Sequence, residues 1–174
     1  MKKLLFVLTT LFIAITVNAQ ESQDDTPLFK DFSFEIKSLY GIKQHGMQPL
    51  SMDLQAGYEF ANRWALVACA EASHTLMENN GVKSYAKDIS LGGGLAYAFY
   101  NGAKDRFDVR LQMLKTVSSA DWKHTTYDIG TNWYGKPNKT GMAPLVGIGF
   151  RYEKSHVVGI RDWWGIYATV GIRF

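Results

Sequence analysis

Residues 50–60 read LSMDLQAGYEF. Leu50, Met52, Leu54, Ala56, Tyr58 and Phe60 share one parity, and Ser51, Asp53, Gln55, Gly57 and Glu59 share the other. A strand sends successive side chains to opposite faces, whereas a helix returns to one face every 3.6 residues. Unbroken alternation over this length therefore predicts a strand with one apolar and one polar face.

The same period recurs on both sides of it. Upstream, FSFEIKSLYGIK (32–43) sets Phe32, Phe34 and Ile36 against Ser33, Glu35 and Lys37. Downstream come WALVACAEASHT (64–75), DISLGGGLAYAFY (88–100), RFDVRLQML (106–114), APLVGIGFRY (143–152), VVGIR (157–161) and IYATVGIRF (166–174). With DWWG (162–165) read as a turn, the strands number eight. ANR, NGAKD and EKSH read as tight links, whereas QHGMQP, MENNGVKSYAK and the irregular stretch 116–141 read as longer ones. No helical period and no 20-residue apolar run follows residue 19.

The N-terminus is of another kind. Lys2 and Lys3 precede an apolar run at 4–17, and VNA ends at Ala19. A basic start, a short apolar stretch and a small-residue site make an export signal. The run is too short for a spanning helix, which needs about 20 residues. The expectation is cleavage after Ala19, a polar lead-in at 20–31 and one domain at 32–174. Beyond the signal the chain carries 17 Lys and Arg (19 less Lys2 and Lys3) against 16 Asp and Glu. That balance lacks the concentrated basic face of a nucleic-acid binder. A single cysteine, Cys69, excludes an internal disulfide framework.

Two environments produce alternating faces. A soluble sandwich turns its apolar face inward. An outer-membrane barrel turns it outward to lipid and keeps polar residues in the lumen. Three features favour the barrel. Tight and long links alternate. Aromatics such as Tyr40, Tyr58, Trp64, Tyr97, Phe99, Tyr152 and Trp164 sit at strand ends, where interfacial girdles lie. The polar parity is rich in Gly, Ala and Ser, which suit a narrow lumen. The reading is an all-β, eight-stranded, antiparallel up-and-down transmembrane barrel of a bacterial outer membrane.

The closing stretch GIYATVGIRF (165–174) carries a resemblance. With Ile166, Ala168, Val170, Ile172 and the final Phe174 on one parity, it resembles the terminal strand of bacterial outer-membrane proteins. The whole pattern is similar to small barrels of the OmpA/OmpX type and to the porin-family small proteins of Gram-negative Bacteroidetes. The resemblance implies that the barrel-assembly machinery reads this strand. It further implies outer-membrane lipid and lipopolysaccharide as surroundings.

The predicted lumen holds Glu35, Lys37, Asp53, Glu59, Glu71, Asp88, Asp108, Arg110, Arg151, Arg161 and Arg173. Six acids and five bases in an eight-stranded barrel should pair and fill it. This predicts a salt-bridged lumen and a structural or surface-contact protein, with a narrow channel for ions or small solutes as the alternative reading. The stretch 116–141 is expected to form an outer binding loop through Trp122, Lys123, His124, Tyr127, Trp133, Tyr134 and Lys136, for an extracellular protein or glycan. Ser118, Ser119, Asp121, His124 and Asp128 are the residue types of a hydrolase site, which leaves a lipid A hydrolase using His124 as a further alternative. No spacing predicts a metal site or a cofactor. His156, beside EKSH, is expected on the side of the tight turns.

Overall fold

Eight strands follow one another around a closed ring: β1 (Phe32–Gly41), β2 (Met47–Ala61), β3 (Trp64–Asn79), β4 (Val82–Asn101), β5 (Arg106–Thr116), β6 (His124–Tyr134), β7 (Ala143–Ser155) and β8 (Trp163–Arg173). The computed structural model describes residues 31–174 apart from 62, 80 and 103. The expected signal at 1–19, and the lead-in up to residue 30, lie outside the described residues. Every strand pairs antiparallel with the next, and β8 closes on β1. Closure leaves no unpaired strand edge. The final residue is part of the seam: the Phe174 amide donates to the Phe34 carbonyl at 2.8 Å, and the Phe34 amide donates to the Phe174 carbonyl at 3.2 Å.

The two parities behave as the alternation requires. Along β2, Ser51, Asp53, Gln55 and Gly57 are buried, while Leu50, Met52, Leu54 and Tyr58 are exposed. Apolar side chains thus cover the outside and polar ones fill the inside, the inverse of a soluble sandwich. On the outside, Phe32, Tyr58, Phe60, Trp64, Phe99, Phe107 and Phe174 ring the end where β1 begins and β8 finishes, the terminal end. Tyr40, Tyr127, Phe150 and Trp164 ring the far side of the apolar belt. From Trp64 to His74 on β3, a rise of about 3.3 Å per residue and a tilt near 40° give a belt about 25 Å tall.

Three expectations about the strands need correction. The stretch 116–141 is no single loop, because its centre is β6. VVGIR is not a strand. Ile160 N turns back to Val157 O, Gly159 has φ +87° and Val158 is fully exposed, so this apolar run is a turn. The total of eight survives because the unforeseen strand replaces the false one. MENNGVKSYAK is not a long link either: β3 and β4 run through it as far as Asn79 and from Val82, with Gly81 between them at φ +79°. The far end therefore carries links 42–46, 80–81, 117–123 and 156–162, and the terminal end carries 62–63, 102–105 and 135–142. Short and long links do not segregate by end as the sequence led us to expect. EKSH lies mostly within β7, and His156 sits at the far end rather than on the side of the tight turns.

The last far-end link is held by one carboxylate. Asp162 accepts the Tyr152 hydroxyl at 2.5 Å and the Ser155 amide at 2.8 Å. The Tyr152 bond above all, then the Ser155 amide, holds the Asp162 carboxyl below its ordinary range. A depressed carboxylate stabilises the fold above its unfolded value and loses that contribution as pH falls through the lowered one. Amide exchange in 156–162 should therefore accelerate selectively below about pH 4. Asp162→Asn should show the fast exchange already at pH 7; equal rates in the two proteins would remove Asp162 as the anchor.

Candidate functional site

Two buried guanidinium groups organise the lumen. On the inward parity of β5, Arg110 meets Glu35 of β1 through a two-pronged pair, Nη2 to Oε1 at 2.7 Å and Nη1 to Oε2 at 2.8 Å. It also donates to Gln55 Oε1 at 2.6 Å and to Asp108 Oδ2 at 2.9 Å. The Tyr134 hydroxyl lies against Arg110 Nη2 and is 2.9 Å from Asp108 Oδ2. Asn132 completes Asp108 at 3.1 Å. A planar fork with five donors suits several carboxylate and amide oxygens at once, which a lysine ammonium cannot reproduce. Toward the terminal end, Arg106 and Arg173 converge on Glu59, and Arg173 lies over the Tyr134 ring at 5.0 Å. Between them lies a cavity of about 10 Å³, lined in part by Glu35, Glu59, Asp108 and Arg110, room for about one water.

The second centre lies farther up. Arg151 of β7 donates Nε to Asp128 Oδ2 at 2.9 Å and Nη1 to Glu71 Oε1 at 2.8 Å, with Glu153 Oε1 at 3.6 Å. The Tyr167 hydroxyl donates to the other Asp128 oxygen at 2.7 Å. Lys37 faces Asp53 at 3.7 Å. Above these, Asp88 takes the Ser73 and Ser90 hydroxyls and lies 3.9 Å from His124 Nε2. Trp122 stacks on His124 with ring centroids 4.4 Å apart. Trp122 and Trp163, both fully buried, pack with Met47 and Ala86 into an apolar layer at the far end.

The lumen is more acidic than expected. Glu35, Asp53, Glu71, Asp88, Asp108, Asp128 and Glu153 are buried, against Lys37, Arg110, Arg151 and the imidazole of His124. Arg161 is no lumen residue: it is exposed in the link 156–162. Glu59 and Arg173 are only half-buried, at the mouth. The missed acids, Asp128 and Glu153, lie in a strand and a strand end that sequence reading had assigned to links. In the upper part, Glu153 Oε2 and His124 Nε2 have no hydrogen-bond partner among the described residues.

The expected binding loop does not form one surface. Trp122 and His124 are buried at the far end, and Tyr134 is buried in the Arg110 network. Trp133 and Lys136 are at the terminal end, and Trp133 Nε1 donates to Asp105. Tyr127 faces outward from the apolar belt, and Lys123 is exposed at the far end. An eleven-residue strand, β6, separates the two groups by roughly 35 Å. The hydrolase constellation is likewise unassembled. His124 Nδ1 is 3.4 Å from Thr116 Oγ1, Ser118 accepts the Ile89 amide, and Asp128 is held by Arg151 and Tyr167. Among the described residues no group of three His, Cys, Asp or Glu is placed to hold a metal ion.

The far end is basic on its outside. Lys43, Lys83, Lys87, Lys115, Lys123, Lys154 and Arg161 face Glu78, Asp121 and Asp162, seven against three. Only Lys43 forms an ion pair there among the described residues, with Glu78 at 2.6 Å. That contact, led by the hydrogen bond itself, lowers the Glu78 carboxyl below its ordinary range.

No protein-family model and no curated protein sequence matches the chain. Solved structures similar to it include the N-terminal β-barrel domain of Pseudomonas aeruginosa OprF, at 15% identity and TM-score 0.41, over 82% of this chain and 97% of that one. The Yersinia pestis outer membrane protein Ail is similar at 16% identity and TM-score 0.46, over 82% and 98%. The outer membrane enzyme PagL is similar at 10% identity and TM-score 0.47, over 80% and 98%. The chain is an eight-stranded, closed, antiparallel β-barrel, and its structural neighbours are small outer-membrane barrels.

Proposed function

We propose that this chain resides in a bacterial outer membrane as a structural and surface-contact barrel whose lumen passes no steady current. One observation carries the reading: the buried face is the polar one, knitted by Arg110 and Arg151, and the exposed face is an apolar belt between two aromatic rings. An exposed apolar belt of that extent is stable only against lipid or detergent. The layer of Trp122 and Trp163 across the far end, above two charged networks, favours a filled interior over a channel. The outward parity of β8, ending on Phe174, suits recognition by an assembly machinery during insertion. The basic far end suits contact with phosphate-bearing lipid or an extracellular protein or glycan.

Planar-bilayer recording of the folded chain tests the lumen. The expected trace shows no steady conductance at 100 mV; discrete, ohmic steps in most insertions would establish the channel reading instead. Gel mobility with and without boiling tests the membrane reading independently, since a closed barrel resists detergent until heated.

A further inference from the structure

We infer that the outer face of β4–β7 binds one phosphorylated glycolipid, an acyl chain in a groove and its phosphates on a row of lysines. The groove has a volume of about 490 Å³ and lies between Leu95, Leu111, Met113, Tyr127 and Ile129, where Gly93 adds no side chain. That volume falls in the range of small-molecule sites, roughly 300–1,000 Å³. Its floor spans four strands, so three spacings of about 4.8 Å make it about 14 Å across. An apolar trough of that size takes an acyl chain lying against the belt, which points to a lipid amphiphile.

The strand register places the head-group site. Met113, Tyr127 and Tyr152 lie side by side at the upper edge of the groove. Two residues farther along the same strands, Lys115, Thr125 and Lys154 form the next outward row, in register across β5, β6 and β7. Lys115 and Lys154 are therefore about 10 Å apart at the backbone, within joint reach of one phosphate. Both are exposed, and Lys123 joins them from the link above. Between the lysines, the exposed His156 imidazole is held in place by a 2.8 Å hydrogen bond between its Nε2 and the Oγ1 of the buried Thr125. Asp162, which feels the charge of Lys154, is already engaged by Tyr152 and Ser155. Positive charge and an exposed imidazole directly above an apolar trough match an amphiphile with a phosphorylated sugar head.

The test uses the chain folded in detergent, incubated with bis-phosphorylated lipid A, and native mass spectrometry after exchange into fresh detergent. One retained lipid per barrel is expected, with at least tenfold less retention of dephosphorylated lipid A and of phosphatidylglycerol. Lys115→Glu with Lys154→Glu should reduce retention at least tenfold, and Leu111→Trp, which fills the groove, should reduce it severalfold. Lys136→Glu, at the terminal end, should leave it unchanged. Equal retention of the dephosphorylated lipid, or of the charge-reversed protein, would overturn the head-group site; equal retention of phosphatidylglycerol would overturn the sugar. The lipid comparisons on the unaltered chain stand even if a variant fails to fold. The inference rests on the membrane reading, whose own failure would show as absence of the heat-dependent gel shift, not as a folded barrel without lipid.

Discussion

Arg151→Met should lower the stability of the folded barrel by about 3–5 kcal/mol, the effect of removing one partner from a buried ion pair. Arg151 is 1% exposed and is the only guanidinium within reach of Asp128, Glu71 and Glu153 among the described residues. Met nearly preserves the volume, so the loss isolates the charge and the five donors. The measurement is the urea midpoint of the detergent-folded chain, followed by tryptophan fluorescence and by the unboiled gel band. Arg151→Lys should recover only part of the loss, since an ammonium cannot hold the Asp128 and Glu71 oxygens in one fork. Adding Asp128→Asn and Glu71→Gln to Arg151→Met should restore much of it, because two of the three stranded carboxylates are then neutral amides and only Glu153 remains. An unchanged midpoint for Arg151→Met would mean that these carboxylates are satisfied without the arginine.

How much of this was legible in the sequence depended on how each strand advertises itself. Strand β2 was plain because every outward residue from Leu50 to Phe60 is apolar and every inward one is polar or glycine. Strand β6 was hidden by two departures from that rule. Its outward parity includes Thr125 and Thr131, and its inward parity ends in Tyr134, so the contrast between faces is weak. The signal that could have found it is β-branched content: Thr125, Thr126, Ile129 and Thr131 favour an extended chain whatever their polarity. Conversely, VVGI at 157–160 has strand composition but turns at Gly159, a tertiary outcome that composition does not encode. These two errors propagate to the site. With β6 read as a loop, Asp128 dropped out of the lumen, Tyr134 was placed outside it, and the interior looked balanced in charge.

The arginine networks were legible only as a list. Alternation placed Glu35, Asp108 and Arg110 on the inward parity, but not that Glu35 of β1 faces Arg110 of β5 across the lumen. That partnership needs closure, because it joins strands that are not neighbours in the sheet. The outer groove needs only the pairing of neighbours, since its lining comes from four consecutive strands, and its depth depends on one missing side chain at Gly93.

Gly94→Ala should cost about 3 kcal/mol, at the upper end of what a single added methyl costs in a packed interior. Gly94 is an inward position of β4, and a Cβ there would land on the Leu111 carbonyl oxygen and lie 2.8 Å from Gln112 Cα. Gly92, one inward step earlier, has the same relation to the Met113 carbonyl. Both obstacles are backbone atoms of the paired strand β5, and these have no flexible end that could move aside. Strand β4 is therefore pressed toward β5 here more closely than any side chain permits, which is how a small ring of strands closes without a gap. The alanine must push the strands apart, lengthening the ladder bonds around Leu111 and Gln112. Hydrogen exchange should rise at 91–95 and 110–114 while β7 and β8 keep their protection. Ala72→Val serves as the contrast, since it adds two methyl groups to an exposed outward position of β3 and should leave the midpoint within about 0.5 kcal/mol. If Gly94→Ala matched Ala72→Val in midpoint and exchange, the close approach of β4 to β5 would carry no stability, and barrel closure would have to be attributed to the side-chain networks alone.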